Sequence, residues 1–127
     1  MNIAIDIDDT ITEVPQLFSL ITEASLFKKV IIVSSRTNNE ETRIITEKEL
    51  SDTKIKYNKL FLLESFDVAS NACPHDELDW YSKYLWQKVD ICQKEQIDIV
   101  FEDDEKVITL FKKYVPSIKV IQIHKNM

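Results

Sequence analysis

The 127-residue chain contains no glycine, three prolines, two cysteines and two histidines. Without glycine, the turns that close its strands must be made by aspartate, asparagine and serine, which tolerate left-handed backbone better than other side chains. Cys73 and Cys92 lack metal-type spacing and read as two free thiols rather than a disulfide framework. His75 and His124 stand alone, without ligand company, and read as surface residues. No stretch approaches the roughly eighteen consecutive apolar residues of a membrane span. The N-terminal apolar run carries Asp6 inside it, so it does not read as a signal peptide, and the expectation is a cytoplasmic protein. Positive charge is also short: 16 Lys and Arg stand against 22 Asp and Glu, a net charge of −6. That argues against a broad nucleic-acid surface. There is no repeat, low-complexity stretch or linker.

The composition, 44% hydrophobic and 30% charged, is that of a globular protein, and the length suits one domain, 1–127, with one core. The pattern reads as strand 2–7, helix 15–27, strand 29–34, helix 39–50, strand 59–63, helix 76–95, strand 97–101, helix 104–115 and strand 118–123. Strict alternation predicts an α/β fold, a parallel sheet of about five strands with helices on both faces and right-handed crossovers. In the first helix Leu17, Leu20, Ile21, Ala24 and Phe27 give one apolar face, and Pro15 suits its first turn. In the last, Val107, Ile108 and Phe111 face inward, with Asp104 and Glu105 opening the helix and Lys112 and Lys113 closing it.

Polar groups collect where three strands end. The first runs into Asp6, Asp8 and Thr10, the second into Ser34, Ser35 and Arg36, and a later one into Glu102, Asp103 and Asp104. Open α/β sheets bind ligands at the carboxyl ends of their strands. Alternation is expected to set Asp6 and Asp8 on one side of the chain, a few ångströms apart. Two such carboxylates repel, and one pKa rises unless a cation or a proton relieves them. That suits Mg²⁺-dependent phosphoryl transfer, in which one carboxylate attacks phosphorus and its neighbour handles the leaving-group proton.

These motifs, over about residues 2–108, resemble the haloacid dehalogenase superfamily of phosphohydrolases. The first motif is an apolar strand followed by Asp-x-Asp-x-Thr, here Asp6, Asp8 and Thr10. Ser34 matches the second, a lone helical Lys the third, and Asp103 with Asp104 the fourth. Ser-Ser-Arg-Thr and Phe-Glu-Asp-Asp look like the small nucleotidase-like members. The resemblance implies a Rossmann-like fold, with Asp6 as nucleophile and Asp8 as general acid and then base. It implies Ser34, with Ser35 as its substitute, on a phosphoryl oxygen. The Mg²⁺ ligands it implies are Asp6, the Asp8 backbone carbonyl and Asp103, with Asp104 second as a direct or water-bridged ligand. Many members carry Gly at the positions of Asp9 and Ser35; this chain does not. Arg36 pairs either with a substrate phosphate or with a nearby acid.

The lysine is chosen by helical register. Leu78, Tyr81, Leu85 and Cys92 form an apolar stripe, and Lys88 falls within it, whereas Lys83 and Lys94 fall on the solvated face. An inward cation needs an anion, which selects Lys88. About twenty residues separate Thr10 from Val30, too few for a large helical cap, and Glu64 to Asp79 is read as an ordered loop, the candidate for a small lid. Water exclusion then falls to this loop or to a neighbouring subunit in a homo-oligomer. The function expected is hydrolysis of a small phosphorylated metabolite such as a nucleoside monophosphate. A non-catalytic phosphate-binding module on the same fold is the alternative. A response-regulator receiver domain would need an Asp after the third strand, where this chain has Leu62, Leu63 and Glu64.

Overall fold

The computed structural model describes residues 1–24 and 26–125. In chain order its elements are β1 (Asn2–Ile5), α1 (Pro15–Glu23), β2 (Lys29–Thr37), α2 (Glu40–Asp52), β3 (Lys59–Leu63), α3 (Phe66–Ala72), α4 (Trp80–Lys94), β4 (Ile99–Glu102), α5 (Glu105–Tyr114) and β5 (Lys119–Gln122). Every strand pair is parallel and the sheet order is β3-β2-β1-β4-β5. This is the expected Rossmann-like α/β sheet; the receiver order 2-1-3-4-5 is excluded.

Alternation along each strand splits the core into two layers. Ile3, Ile5, Val30, Ile32, Leu60 and Leu62 pack with Phe18 of α1 and Leu50 of α2. Ala4, Ile31, Val33 and Val100 point the other way, onto Leu85, Val89 and Cys92 of α4 and Val107, Leu110 and Phe111 of α5. Both faces are therefore covered, which is why these strands are continuous apolar runs. Cys73 and Cys92 are free and buried. No helix among the described residues is long and apolar enough to cross a membrane.

Several boundaries and faces differ from expectation. The first strand stops at Ile5, not at residue 7. The first helix ends at Glu23, and Ser25, within its expected span, lies outside the described residues, as do Asn126 and Met127 of the expected 1–127 domain. Its fully buried residues are Phe18 and Thr22; of the expected face Ile21 and Phe27 pack on the core, whereas Leu17 and Leu20 are 47% and 69% exposed. Two apolar stripes overlap in this helix, and tertiary contact chooses between them: Phe18 packs edge-on against Phe101, ring centroids 5.3 Å apart. The stretch read as a loop from Glu64 to Asp79 contains α3, capped by the Ser65 hydroxyl, which accepts from the Val68 amide.

The missing glycine has visible consequences. Asp9, Lys54 and Gln96 take positive φ values of 63°, 60° and 56°. Asp9 is a residue type expected there; Lys54 and Gln96 are not. They follow the ends of α2 and α4, where a left-handed glycine commonly terminates a helix, and a side chain there costs about 1–2 kcal/mol.

Candidate functional site

β1 lies between β2 and β4: the chain runs from β1 outward through β2 to β3, then crosses back to β4 on the other side of β1, so the strand order reverses there. That switch point is where open α/β sheets form their ligand crevice. Ala4 of β1 and Val100 of β4 face α4, and two residues further on Asp6 and Glu102 face it too. The helix α4 runs back over this face, burying Leu85, Val89 and Cys92 with Lys88 among them. Lys88 is 3% exposed. Its ammonium donates to Asp6 Oδ1 and to Glu102 Oε2, each at 2.9 Å.

Thr10 completes the cluster from the turn after β1. Its buried hydroxyl lies 3.0 Å from Asp6 Oδ2 and 3.1 Å from Asp103 Oδ1. The Glu102 Oε1 atom accepts from the backbone amides of Asp103 and Asp104 at 3.1 and 3.3 Å. Asp6, Glu102 and Asp103 each bring a carboxylate oxygen within 4.8 Å of the others, so this trio could hold a metal ion. An all-oxygen donor set of this kind suits a hard divalent cation.

Electrostatics favour a cation there. Burial pushes the Glu102 carboxyl up to about 8, against the pull of Lys88. Burial, then a hydrogen bond to Asp6 and the charge of Asp6, raise Asp103 to about 6. Lys88 is penalised by burial, yet the charges of Asp6 and Glu102 outweigh it and hold the amine above its ordinary range. The acids are thus in excess over the one buried ammonium.

Asp8 follows in the turn after β1. The strand ends before it, and the turn from Ile7 to Ile11 is wide, closed by the amides of Ile11 and Thr12 on the carbonyls of Asp6 and Ile7. Asp9 adopts the left-handed conformation, its amide donating to Thr12 Oγ1 at 2.8 Å and its carboxylate pairing with Lys125. Asp8 therefore does not share a strand face with Asp6, as alternation had suggested. Arg36 grips it with a two-pronged contact, Nε to Oδ2 at 3.0 Å and Nη2 to Oδ1 at 2.8 Å. That hydrogen bonding lowers the Asp8 pKa below its ordinary value, so the guanidinium is a cation that relieves this carboxylate. Of the two roles left open for Arg36, the acid partner is the one formed, with Glu49 and the Thr46 hydroxyl as further acceptors.

No family model and no curated protein matches the sequence. One chain of a solved Pnkp1/Rnl/Hen1 complex is similar in fold, with a TM-score of 0.67 and 16% identity. The alignment covers 99% of this chain and 46% of that one. This chain thus spans about half the length of the chain it matches. At that identity the likeness is one of fold.

The remaining expected site residues are spread along the same edge. Ser34 is fully buried and its hydroxyl accepts from the Arg36 amide at 3.2 Å. Ser35 is exposed, and its carbonyl accepts from the Tyr84 hydroxyl at 2.7 Å. Asp104 caps α5, accepting from the Lys106 amide at 2.8 Å, while Asp103 joins the acidic trio. His75 is half-buried, stacked on Tyr114 with centroids 3.9 Å apart. A cavity of about 340 Å³ lies away from the acids, beneath α3 and beside Trp86. Sequence reasoning missed Glu102. The signal was present, because alternation puts Glu102 on the face of Val100, towards the helix whose inward lysine required an anion.

These shifts predict a pH-dependent affinity for a divalent cation. The folded chain holds protons on Glu102 and Asp103 that the unfolded chain, with ordinary values of 4.5 and 3.8, would release. Their stabilising contribution is therefore full below about pH 4 and lost as pH rises through about 6 and then about 8. A cation competes with those protons, so divalent-cation affinity should climb from pH 5 to pH 8 with net proton release. Calorimetry in two buffers of different ionisation enthalpy measures both. With Mg²⁺ as the probe, a flat profile with no proton release would refute a cation site at the trio.

Proposed function

We propose that the chain is a Mg²⁺-dependent phosphomonoester hydrolase of the haloacid dehalogenase type that works through an aspartyl-phosphate on Asp6. The observation that carries this reading is the environment of Asp6. It is a buried carboxylate at the switch point, with Lys88 on one oxygen, Thr10 on the other, and Glu102 and Asp103 beside it. A carboxylate held by two donors is oriented to attack, and the ammonium offsets charge that builds on the transferring group.

In this reading an Asp6 oxygen bonds to phosphorus as the ester oxygen leaves, and Asp8 gives that oxygen a proton. Water then attacks the acyl phosphate with Asp8 as base, releasing phosphate and restoring Asp6. Asp6 and Asp103, with Glu102 close by, would hold Mg²⁺, which would supply charge neutralisation for the transferring group. Asp8, ionised against Arg36, must first give up the guanidinium and take up a proton from solvent before it can serve the leaving group. A phosphoryl oxygen is the natural competitor for that guanidinium, so Arg36 is assigned to substrate once it arrives. Ser34 and Ser35 lie in β2 just before Arg36.

The test is hydrolysis of an aryl phosphate with and without Mg²⁺. Turnover should require the ion, and Asp8→Asn should lower kcat by about 10²–10⁴-fold with little change in melting temperature. Absence of Mg²⁺-dependent turnover in folded protein would favour the alternative of a phosphate-binding module.

A further inference from the structure

α4 does more than deliver Lys88. Tyr84 and Tyr81 precede Lys88 by four and seven residues, so they lie on the same helix face, roughly 6 and 10 Å further along the axis. Because Lys88 reaches Asp6 at the sheet edge, those two turns overhang the crevice. The overhang is anchored at both sides. The Tyr84 hydroxyl donates to the Ser35 carbonyl beyond β2, and Lys106 of α5 lies over the Tyr81 ring at 5.0 Å.

On these anchors sit two exposed rings. Phe66, the first residue of α3, stacks on Tyr84 with centroids 4.2 Å apart, and Trp80 meets Phe66 edge-on at 4.7 Å. One face of Phe66 is thus covered by Tyr84, yet Phe66 remains 41% exposed and Trp80 65% exposed. Large aromatics left in water as a contiguous pair mark a binding surface more often than a packing fault. Their supports are tied by the Tyr84 hydrogen bond and the Phe66–Tyr84 stack, so stacking a planar ligand on them would cost little further ordering.

We propose that Phe66 and Trp80 form a ring-binding ledge that selects phosphomonoesters carrying a planar base, a nucleoside monophosphate being the substrate class. This rests on the phosphatase reading above. Phosphate at Asp6 and base on the ledge would span the crevice along α4. Because α3 supplies Phe66, the short helix serves specificity in place of a cap.

The experiment compares adenosine monophosphate with ribose 5-phosphate, which keeps the sugar and phosphate and lacks the base. Wild-type kcat/KM should favour the nucleotide by about tenfold or more, in line with base–aromatic stacking. Trp80→Ala should collapse that ratio towards one through KM, and Trp80→Phe should retain most of it. Equal kcat/KM values in the wild type, or a ratio unchanged in both Trp80→Ala and Phe66→Ala, would overturn the ledge. Should neither ester be hydrolysed with Mg²⁺, the phosphatase reading fails on that count. The ledge is then decided by calorimetry with the same two ligands: tighter nucleotide binding by about tenfold supports it, and equal or absent binding refutes it.

Discussion

Replacing Asp6 by asparagine should reduce turnover of any phosphomonoester by roughly 10⁴-fold or more while leaving the protein folded. The amide keeps the shape of the carboxylate: its oxygen can still accept from Lys88 and its NH2 can donate to the Thr10 hydroxyl oxygen, at the positions where the two Asp6 oxygens lie 2.9 and 3.0 Å from these groups. It cannot form the acyl phosphate, because an amide is a poor nucleophile at phosphorus. Structure should persist because the substitution also removes one of three crowded acids. Initial rates on an aryl phosphate, read beside circular dichroism, decide the matter. A folded Asp6→Asn protein turning over near the wild-type rate would remove Asp6 from the nucleophile's role.

Lys88 should carry the largest single effect on stability. It is the buried ammonium that two acids share, at 2.9 Å each, with Asp103 nearby. Lys88→Ala leaves those acids buried without it, and breaking a buried pair in this way costs about 3–5 kcal/mol. The melting temperature should fall by on the order of 10 °C or more. The deficit should deepen as pH rises, because Glu102 and Asp103 then lose the protons that relieve them. Lys88→Met combined with Glu102→Gln should recover part of the loss by removing one charge from each side. Lys83, outside the buried stripe, should tolerate alanine within about 0.5 kcal/mol. Equal melting temperatures for Lys88→Ala and Lys83→Ala would contradict the account of the site.

Much of the sheet was legible because its signal is local. Apolar runs at β1, β2, β3, β4 and β5 alternated with helical patterns, and that alone implied parallel strands covered on both faces. Lys88 was legible for the same reason, as one cation in an apolar register implies a buried anion. Glu102 escaped because it was judged by motif position instead of by the strand face it shares with Val100. The pairing of Asp6 with Asp8 misled, since alternation holds only while the chain remains a strand, and β1 ends at Ile5. The α1 face misled because two overlapping stripes are equally amphipathic until Phe101 selects Phe18.

By itself, then, the sequence determined the parallel α/β architecture, the strand ends at which polar groups gather, and the lysine that must turn inward. Each depends on periodicity along a few consecutive residues. The tertiary structure alone decided which acids meet. Asp6, Glu102 and Asp103 converge because β4 returns to the side of β1 opposite β2, a consequence of sheet order that no local pattern encodes. It likewise decided that Arg36 holds Asp8, because their approach depends on how the turn after β1 and the end of β2 are set side by side.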